Sequence, residues 1–375
     1  MIQIIIQLVL LISLSKTKAA SISLPNYPDS CGGVPIPYPF GIGPNCSLSE
    51  TFELSCKSIN GTSPPYRRDY LFLNINISSG QALVNMPISS QCYNSTTNSD
   101  DYKNWEVDLL HITDFRFNHE KNMIVVIRCD TLAYTRCFSD NNNSYLGGCV
   151  SGCDSLESLS DGSCSGIGCC QTSIPKGINY IELWFDENFN NSKVYNFNPC
   201  SYAMLTEAGF MFNTSHITTD QLLRQNTSAV IDWAIGNTTC NTAQTNKSTY
   251  ACRSIYSNCS DSSSGPGYLC NCMDGYQGNP YLDEGCQDID ECANQNQCSE
   301  PAKCHNLSGS YKCSCPFGWR KKHNNLRDCE LNLTLVIGIC GGIFALLFLG
   351  VGIYVAHERR VLSKVEEKYF QKHGG

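Results

Sequence analysis

Apolar residues gather in two long runs, one near each end of the chain, and elsewhere recur in short alternating stretches. "DFRFNHEKNMIVVIRC" reads as two strands around a polar turn, with Phe115 and Phe117 leading and Val125 to Ile127 returning. "INYIELWFDENFN" is rich in β-branched and aromatic residues and again suits a strand. Helical spacing of apolar residues is scarce outside the second long run, so the pattern predicts a β-rich fold.

The first run, "MIQIIIQLVLLISLS", has no acidic residue and leads to the small residues Ala19, Ala20 and Ser21. It reads as a signal peptide over residues 1–20. The second, Leu333 to Ala356, carries no charge and is long enough to cross a bilayer. "HERR" follows at once, with Lys364, Lys368 and Lys372 beyond, which favours a cytoplasmic end for residues 357–375. The expected product is a single-pass protein at the plasma membrane, a type I protein with its N-terminal part outside.

Asn-x-Ser/Thr acceptors agree with that topology. They occur at Asn45, Asn60, Asn76, Asn94, Asn142, Asn190, Asn213, Asn226, Asn237, Asn246, Asn258, Asn306 and Asn332, and none lies beyond the apolar run. The outer part is therefore expected to be a glycoprotein. It keeps 19 Lys+Arg and 31 Asp+Glu once signal and tail are set aside, a charge near −12 that argues against nucleic acid as a partner.

Twenty-five cysteines point to oxidising surroundings. With Cys340 in the apolar run set aside, they divide into twelve (Cys31 to Cys200), six (Cys240 to Cys286) and six (Cys292 to Cys329). Even counts suit internally paired disulfide modules. The last two blocks repeat one another, each with a C-x-C pair (Cys270/Cys272, Cys313/Cys315) and a final cysteine after thirteen intervening residues. Units this short cannot bury enough apolar surface to hold themselves, so cross-links must do it. Six cysteines allow fifteen pairings, and spacing alone does not choose.

The repeats resemble epidermal-growth-factor-like (EGF-like) modules, with "CMDGYQG" and "CPFGWRK" after the C-x-C pairs. That resemblance implies Cys240–Cys259, Cys252–Cys270 and Cys272–Cys286 in a module over 237–286, then Cys292–Cys304, Cys298–Cys313 and Cys315–Cys329 over 288–329. Lys321 stands where the family's later glycine is usual. Three carboxylates, Asp288, Asp290 and Glu291, crowd against Cys292 and repel unless solvent or a counter-ion separates them, as in a solvated acidic linker or a cation site. With "CHNLSGSYKC" downstream they resemble the calcium-binding variant, D-x-D-E-C followed by C-x-N-x4-Y-x-C. A hard cation takes six to eight oxygens. By that scheme the side chains of Asp288, Glu291 and Asn306 and the carbonyls of Ile289, Leu307 and Ser310 would hold calcium, with Asp290 adding field rather than a bond. A glycan on Asn306 would compete, so this acceptor is expected to stay unmodified. The first module has "GNTTC" before Cys240, without a carboxylate, and no metal is expected there.

"DSCGGVPIPYPFGIGPNC", Asp29 to Cys46, fixes a tight loop in which Tyr38 and Phe40 have little freedom. Physically this is either an aromatic platform for a sugar face or a packed disulfide turn. The run C-G-x-V-x-I-P-Y-P-F-G-I-G, with "FELSC", "GIGCCQTSIPKGI", "NPCSYAMLTEAGFMF" and "YQGNPYLDEGCQDIDEC", resembles the outer half of plant wall-associated receptor kinases, and "EEKYFQKHGG" resembles their segment before the kinase. The likeness covers essentially the whole chain. It implies a galacturonan-binding domain over 27–137, an associated Cys-rich domain over 138–236, and cell-wall pectin or oligogalacturonides as ligand. A polyanion is repelled by a surface near −12, so either a local basic patch or calcium bridging protein and pectin carboxylates is needed, and the patch is favoured for specificity. Arg67–Arg68 is the expected pair, since guanidinium groups grip carboxylates bidentately. "RKKH", Arg320 to His323, is a second patch close to the membrane.

No glycine-rich loop followed by V-A-I-K, no H-R-D and no D-F-G occurs, so no phosphate transfer is expected from these residues. The readings in play are a wall-binding co-receptor, sensor or tether without its own kinase, and a truncated copy of a full receptor kinase. An extracellular carbohydrate-active enzyme needs paired carboxylates, and the tightest cluster is assigned to calcium.

Overall fold

Strand Asn122–Ile127, sequence NMIVVI, is buried on both faces because it runs between two cores. Ile124 and Val126 point into the larger core, while Val125 and Ile127 point into the smaller one. The computed structural model that shows this describes residues 22–374 except 59–60, 110–113, 140–142, 190, 220–226, 294–296 and 324. The signal segment and the acceptors Asn60, Asn142, Asn190 and Asn226 lie outside the described residues. The chain divides into two units, the first ending at Gln287 and the second starting at Asp288.

Three sheets build the first unit. A seven-stranded sheet runs in the order Phe115–Phe117, Thr227–Trp233, Gln81–Met86, Tyr70–Asn76, Pro65–Arg67, Glu53–Cys56, Gly41–Ile42. A five-stranded sheet has Asn122–Ile127 between Cys169–Ser173 and Cys200–Glu207, continued by Ile88–Asn94 and Ser99–Lys103. A four-stranded sheet orders Trp105–Asp108, Ile178–Phe185, Thr131–Ser139 and Ser144–Ser151. Alternation does the sorting: in Thr131–Ser139 every second side chain from Thr131 is buried and the others face outward.

Three expectations need correction. Phe115–Phe117 and Asn122–Ile127 are strands but do not form a hairpin with each other. The first pairs with Ile231–Trp233 in one sheet, and the second with Cys169–Ser173 and Cys200–Glu207 in another. Asn122–Ile127 buries apolar residues on both faces, and Phe115–Phe117 buries Arg116 opposite its two rings, so each strand needs protein on either side. The boundary between 137 and 138 falls inside strand Thr131–Ser139, whose neighbours come from 144–185. Gln81–Met86 likewise pairs with Thr227–Trp233, so residues 27–137 and 138–236 share sheets and a core and do not fold as two domains. Finally, the first twelve cysteines are not all paired. Bridges join Cys31–Cys56, Cys92–Cys200, Cys129–Cys153, Cys149–Cys170 and Cys164–Cys169, while Cys46 and Cys137 are buried free thiols. Burial raises the pKa of both, and each serves as a small apolar filler.

The first EGF-like module is part of this unit. Its bridges are Cys240–Cys259, Cys252–Cys270 and Cys272–Cys286. Tyr268, Cys270 and Tyr281 join the main core, and the Tyr281 ring lies 5.9 Å from Trp233. Asp232 supplies a polar clasp: its carboxylate accepts from Asn118 Nδ2 (2.9 and 3.0 Å), from Gln81 Nε2 (2.9 Å) and from Ser264 Oγ of the module.

The second unit has bridges Cys292–Cys304, Cys298–Cys313 and Cys315–Cys329 and two hairpins, Lys303–Leu307 with Ser310–Ser314 and Trp319–Lys322 with Asn325–Leu331. Helix Leu333–His373 follows, capped by Asn332, whose side chain accepts from the Leu335 N–H. Residues 333–356 span about 36 Å at the helical rise, enough for a bilayer's hydrocarbon core of about 30 Å. Their side chains lie exposed, as lipid-facing residues would.

Candidate functional site

The acidic residues before Cys292 meet the tip of a hairpin. Leu307 pairs with Ser310 across a two-residue turn, Ser308–Gly309, and Gly309 has φ of +73° there. That turn points its Gly309 N–H at Asp288 Oδ1, and Asn306 Nδ2 donates to Asp288 Oδ2 at 2.7 Å. Asp288, Asn306, Leu307 and Ser310 are thereby brought to one place. Asp290 is occupied differently, accepting from the Cys292 N–H at 3.0 Å. Glu291 opens a short 3-10 turn, Glu291–Ala293, and its Oε2 is buried without a hydrogen-bond partner.

A buried carboxylate oxygen without a donor is costly unless a cation supplies the missing charge. The donor set here is two carboxylates, one amide oxygen and main-chain carbonyls, all hard oxygens suited to calcium rather than to zinc or copper. Among the described residues no cluster of three or more His, Cys, Asp or Glu side chains forms a metal site. The amide and carbonyl donors account for that. The residues fit the ion.

The expected glycan residues fare differently. Phe40 is fully buried, and its ring packs 5.1 Å from Phe52 and 5.4 Å from Trp233. It is a core residue and presents no face to a sugar. Tyr38 packs partly buried against the same core; its carbonyl accepts from Asn279 Nδ2 at 2.7 Å, and burial raises its phenol pKa. The stretch Asp29 to Cys46 is thus the packed disulfide turn, with Cys31 bonded to Cys56.

Arg67 and Arg68 do not act as a pair. Arg67 is half-buried and turned inward: its Nη1 donates to the carbonyls of Glu50 and Glu53, the latter at 3.0 Å, and burial lowers its pKa. Arg68, at φ +52°, turns outward and is exposed. Its neighbour is Lys57, whose Nζ donates to the Arg68 carbonyl at 2.6 Å and lies 5.0 Å over the Tyr66 ring. The exposed cations here are therefore Lys57 and Arg68 beside Tyr66, with the exposed Asp69 carboxylate 3.9 Å from Lys57 Nζ. Sequence reading missed Lys57, because eleven positions separate it from Arg68 and only the pairing of Glu53–Cys56 with Pro65–Arg67 unites them.

Of the eleven acceptors expected to carry glycans, Asn45, Asn76, Asn213, Asn237, Asn246 and Asn258 are exposed and Asn94 is half-exposed. Asn306 has its Nδ2, the atom a glycan would occupy, engaged with Asp288.

Comparison with known proteins matches residues 26–86 to the family "Wall-associated receptor kinase galacturonan-binding" and residues 288–329 to "Calcium-binding EGF domain". Lys57, Tyr66 and Arg68 fall within the first match, and Asp288, Glu291 and Asn306 within the second. Similar Arabidopsis thaliana proteins include Wall-associated receptor kinase 2, 34% identical over 92% of this chain and 46% of its own length, and Wall-associated receptor kinase 5, 33% identical over 92% and 47%. Wall-associated receptor kinase-like 6 is 28% identical over 92% of this chain and 56% of its own length. The chain spans about half the length of these relatives, and its 375 residues contain no kinase domain.

Proposed function

We propose that this chain, which belongs to the wall-associated receptor kinase family over the outer half and apolar helix that it spans, binds pectic galacturonan at the plant cell surface and holds calcium in its second EGF-like module. The observation that carries the ligand is the galacturonan-binding match at 26–86 together with exposed Lys57 and Arg68 inside it. Their positive charges offset the long-range repulsion of an ectodomain near −12. Arg68 would grip a uronate carboxylate, Lys57 would add a second point charge, and the Tyr66 ring would offer an apolar edge to a pyranose face. Binding of this kind weakens as salt screens the exposed charges.

Calcium, when bound, supplies the positive charge that gathers Asp288, Glu291 and the oxygens of Ile289, Asn306, Leu307 and Ser310. This chain's own contribution is to orient the carboxylates: the Gly309 N–H and Asn306 Nδ2 donate to Asp288, and Glu291 Oε2 lies buried beside Cys292. Three of these ligands, Asp288, Ile289 and Glu291, precede Cys292, so occupancy would stiffen the entry to the module. Residues 333–356 of the helix Leu333–His373 would form the membrane span, placing the chain in the plasma membrane with the growth-factor-like modules outside. In these 375 residues the role is that of wall sensor, co-receptor or tether.

The test is retention of the purified outer part on polygalacturonate, with and without calcium, beside a Lys57→Ala/Arg68→Ala variant. Retention that falls in the variant and rises at low salt supports the reading; no retention under any condition removes it. A second reading is favoured by length, since the matched relatives are about twice as long and are receptor kinases by name. The same outer part on a longer chain would signal by protein phosphorylation. Transcript reads continuing past the codon for Gly375 would decide for it.

A further inference from the structure

The last hairpin carries apolar side chains that face water: Phe317 is 87% exposed, Leu331 43% and Trp319 37%. Phe317, two residues before the first strand, sits with Trp319 and Leu331 at the hairpin's helix-side end, where Trp319 pairs with Leu331, while Leu326, 70% exposed, lies at the turn end. One residue, Asn332, then connects this end to the helix starting at Leu333. Asn332 is not a free hinge. Its N–H donates to the Gly318 carbonyl at 2.8 Å, and its Oδ1 accepts from the Leu335 N–H at 3.3 Å. A single side chain and its own amide thus lock the hairpin to the first helical turn.

We infer that this hairpin is a lipid-binding surface: Phe317, Trp319 and Leu331 seat in the bilayer interface, and Lys321 and Lys322 reach phosphate-bearing headgroups. The inference rests on the reading of Leu333 to Ala356 as a membrane span. If the helix enters the bilayer at Leu333, residues tied to its first turn lie at interfacial depth, where tryptophan is favoured. The charge pattern suits phosphates. Arg320 is satisfied by Glu330 at 2.9 Å, leaving Lys321 and Lys322 exposed, long enough to keep their charged ends in headgroups while their stems lie on apolar surface. A pectin chain would account for the two lysines but would leave Phe317 and Leu331 unexplained. The consequence is positional: the calcium-binding module is held at a set height and tilt over the membrane instead of swinging on a linker.

The test uses the full chain in phosphatidylcholine nanodiscs, with and without brominated acyl chains that quench nearby tryptophan. The chain has four tryptophans, so Trp319→Phe isolates the one concerned. The expected result is a loss of emission in brominated discs that shrinks in Trp319→Phe. Trp319 is part-exposed, and formation of Cys315–Cys329, read by mass spectrometry, checks that the variant folds. Equal fractional loss in both proteins would overturn the inference. Resistance to alkaline carbonate extraction tests the span separately: retention with equal loss removes this inference alone, whereas extraction removes the span and the inference with it. Unchanged emission together with polygalacturonate retention that falls in Lys321→Ala/Lys322→Ala would overturn it in favour of a glycan surface.

Discussion

Replacing Glu291 with Gln should largely abolish the effect of calcium on its module. The side chain keeps its shape but loses its charge, and Oε2 is the buried oxygen without a partner. Extracellular growth-factor-like sites bind calcium with Kd of about 10⁻⁴–10⁻³ M. At ~10 mM calcium the ion is present at roughly 10–100 times Kd, which stabilises the module by about 1.4–2.7 kcal/mol. The Gly309 N–H donates to Asp288, so its hydrogen exchange requires the site to open. Exchange at Gly309 should therefore slow by about 10–100-fold on adding calcium. Changes even outside the ligand shell cost about 10–100-fold in affinity, so loss of a ligand charge leaves little occupancy. The slowing in Glu291→Gln should be about twofold or less. In chelator the order changes, because the wild type carries a buried, uncompensated carboxylate oxygen and the variant does not. Gly309 in the variant should then exchange no faster than in the wild type. Wild-type exchange indifferent to calcium, or a variant that retains the full slowing, would refute the reasoning.

Phe40→Ala removes a fully buried ring from the aromatic core and should cost about 3–5 kcal/mol, read as a lowered denaturation midpoint, whereas Arg68→Ala should leave that midpoint unchanged. Thiol titration of the unreduced, denatured chain should find three groups, Cys46, Cys137 and Cys340, with the first two unreactive while folded; a titre of one would mean that the buried pair is oxidised. Alkaline pH should destabilise the first unit. Burial raises the Tyr281 pKa, so the unfolded chain loses its phenolic proton first, and stability present below a pH of about 10 is lost above it. Thermal unfolding followed from pH 8.5 upward should show a shallower decline in Tyr281→Phe, and parallel curves would count against this assignment. Ser264→Ala removes the module's one hydroxyl on Asp232 and should raise protease cleavage within 240–286 without disturbing the cysteine pairings, a result checked by peptide mapping.

What the sequence revealed follows from how local each cause is. The hairpin Lys303–Leu307 with Ser310–Ser314 is short-range, and its register can be read from "CHNLSGSYKC" because two cysteines and a glycine turn fix it. The apolar helix is local too, needing only an uninterrupted uncharged run. Long-range packing was not legible in this way. "DFRFNHEKNMIVVIRC" has every mark of a hairpin, yet each half finds its partner about 40–120 residues away. Phe40 sits in a proline- and glycine-rich loop that reads as exposed, and only the sheet around it makes it core. Arg67 and Arg68 are adjacent in sequence but differ in setting, Arg67 half-buried on the carbonyls of Glu50 and Glu53 and Arg68 exposed at a left-handed backbone position. An even cysteine count likewise cannot reveal that Cys46 and Cys137 are enclosed separately as thiols.

These corrections change where compliance resides in the outer part. Beads joined by flexible linkers would stretch at every junction. Here the first growth-factor-like module shares the core of the galacturonan-binding region through Tyr268, Cys270 and Tyr281, and Asn279 Nδ2 donates back to the carbonyls of Ile22 and Tyr38. A polymer held at Lys57 and Arg68 would therefore load the whole segment up to Gln287 as one packed body, with the bridges limiting how far any loop can extend. The chain then enters the second unit at Asp288, where two hydrogen bonds from the Asn306–Gly309 turn restrain the strand before any ion binds. Calcium held at Asp288, Glu291 and Asn306 would add its roughly 1.4–2.7 kcal/mol to those two hydrogen bonds within the second unit. The same energy spent inside the packed body would change little.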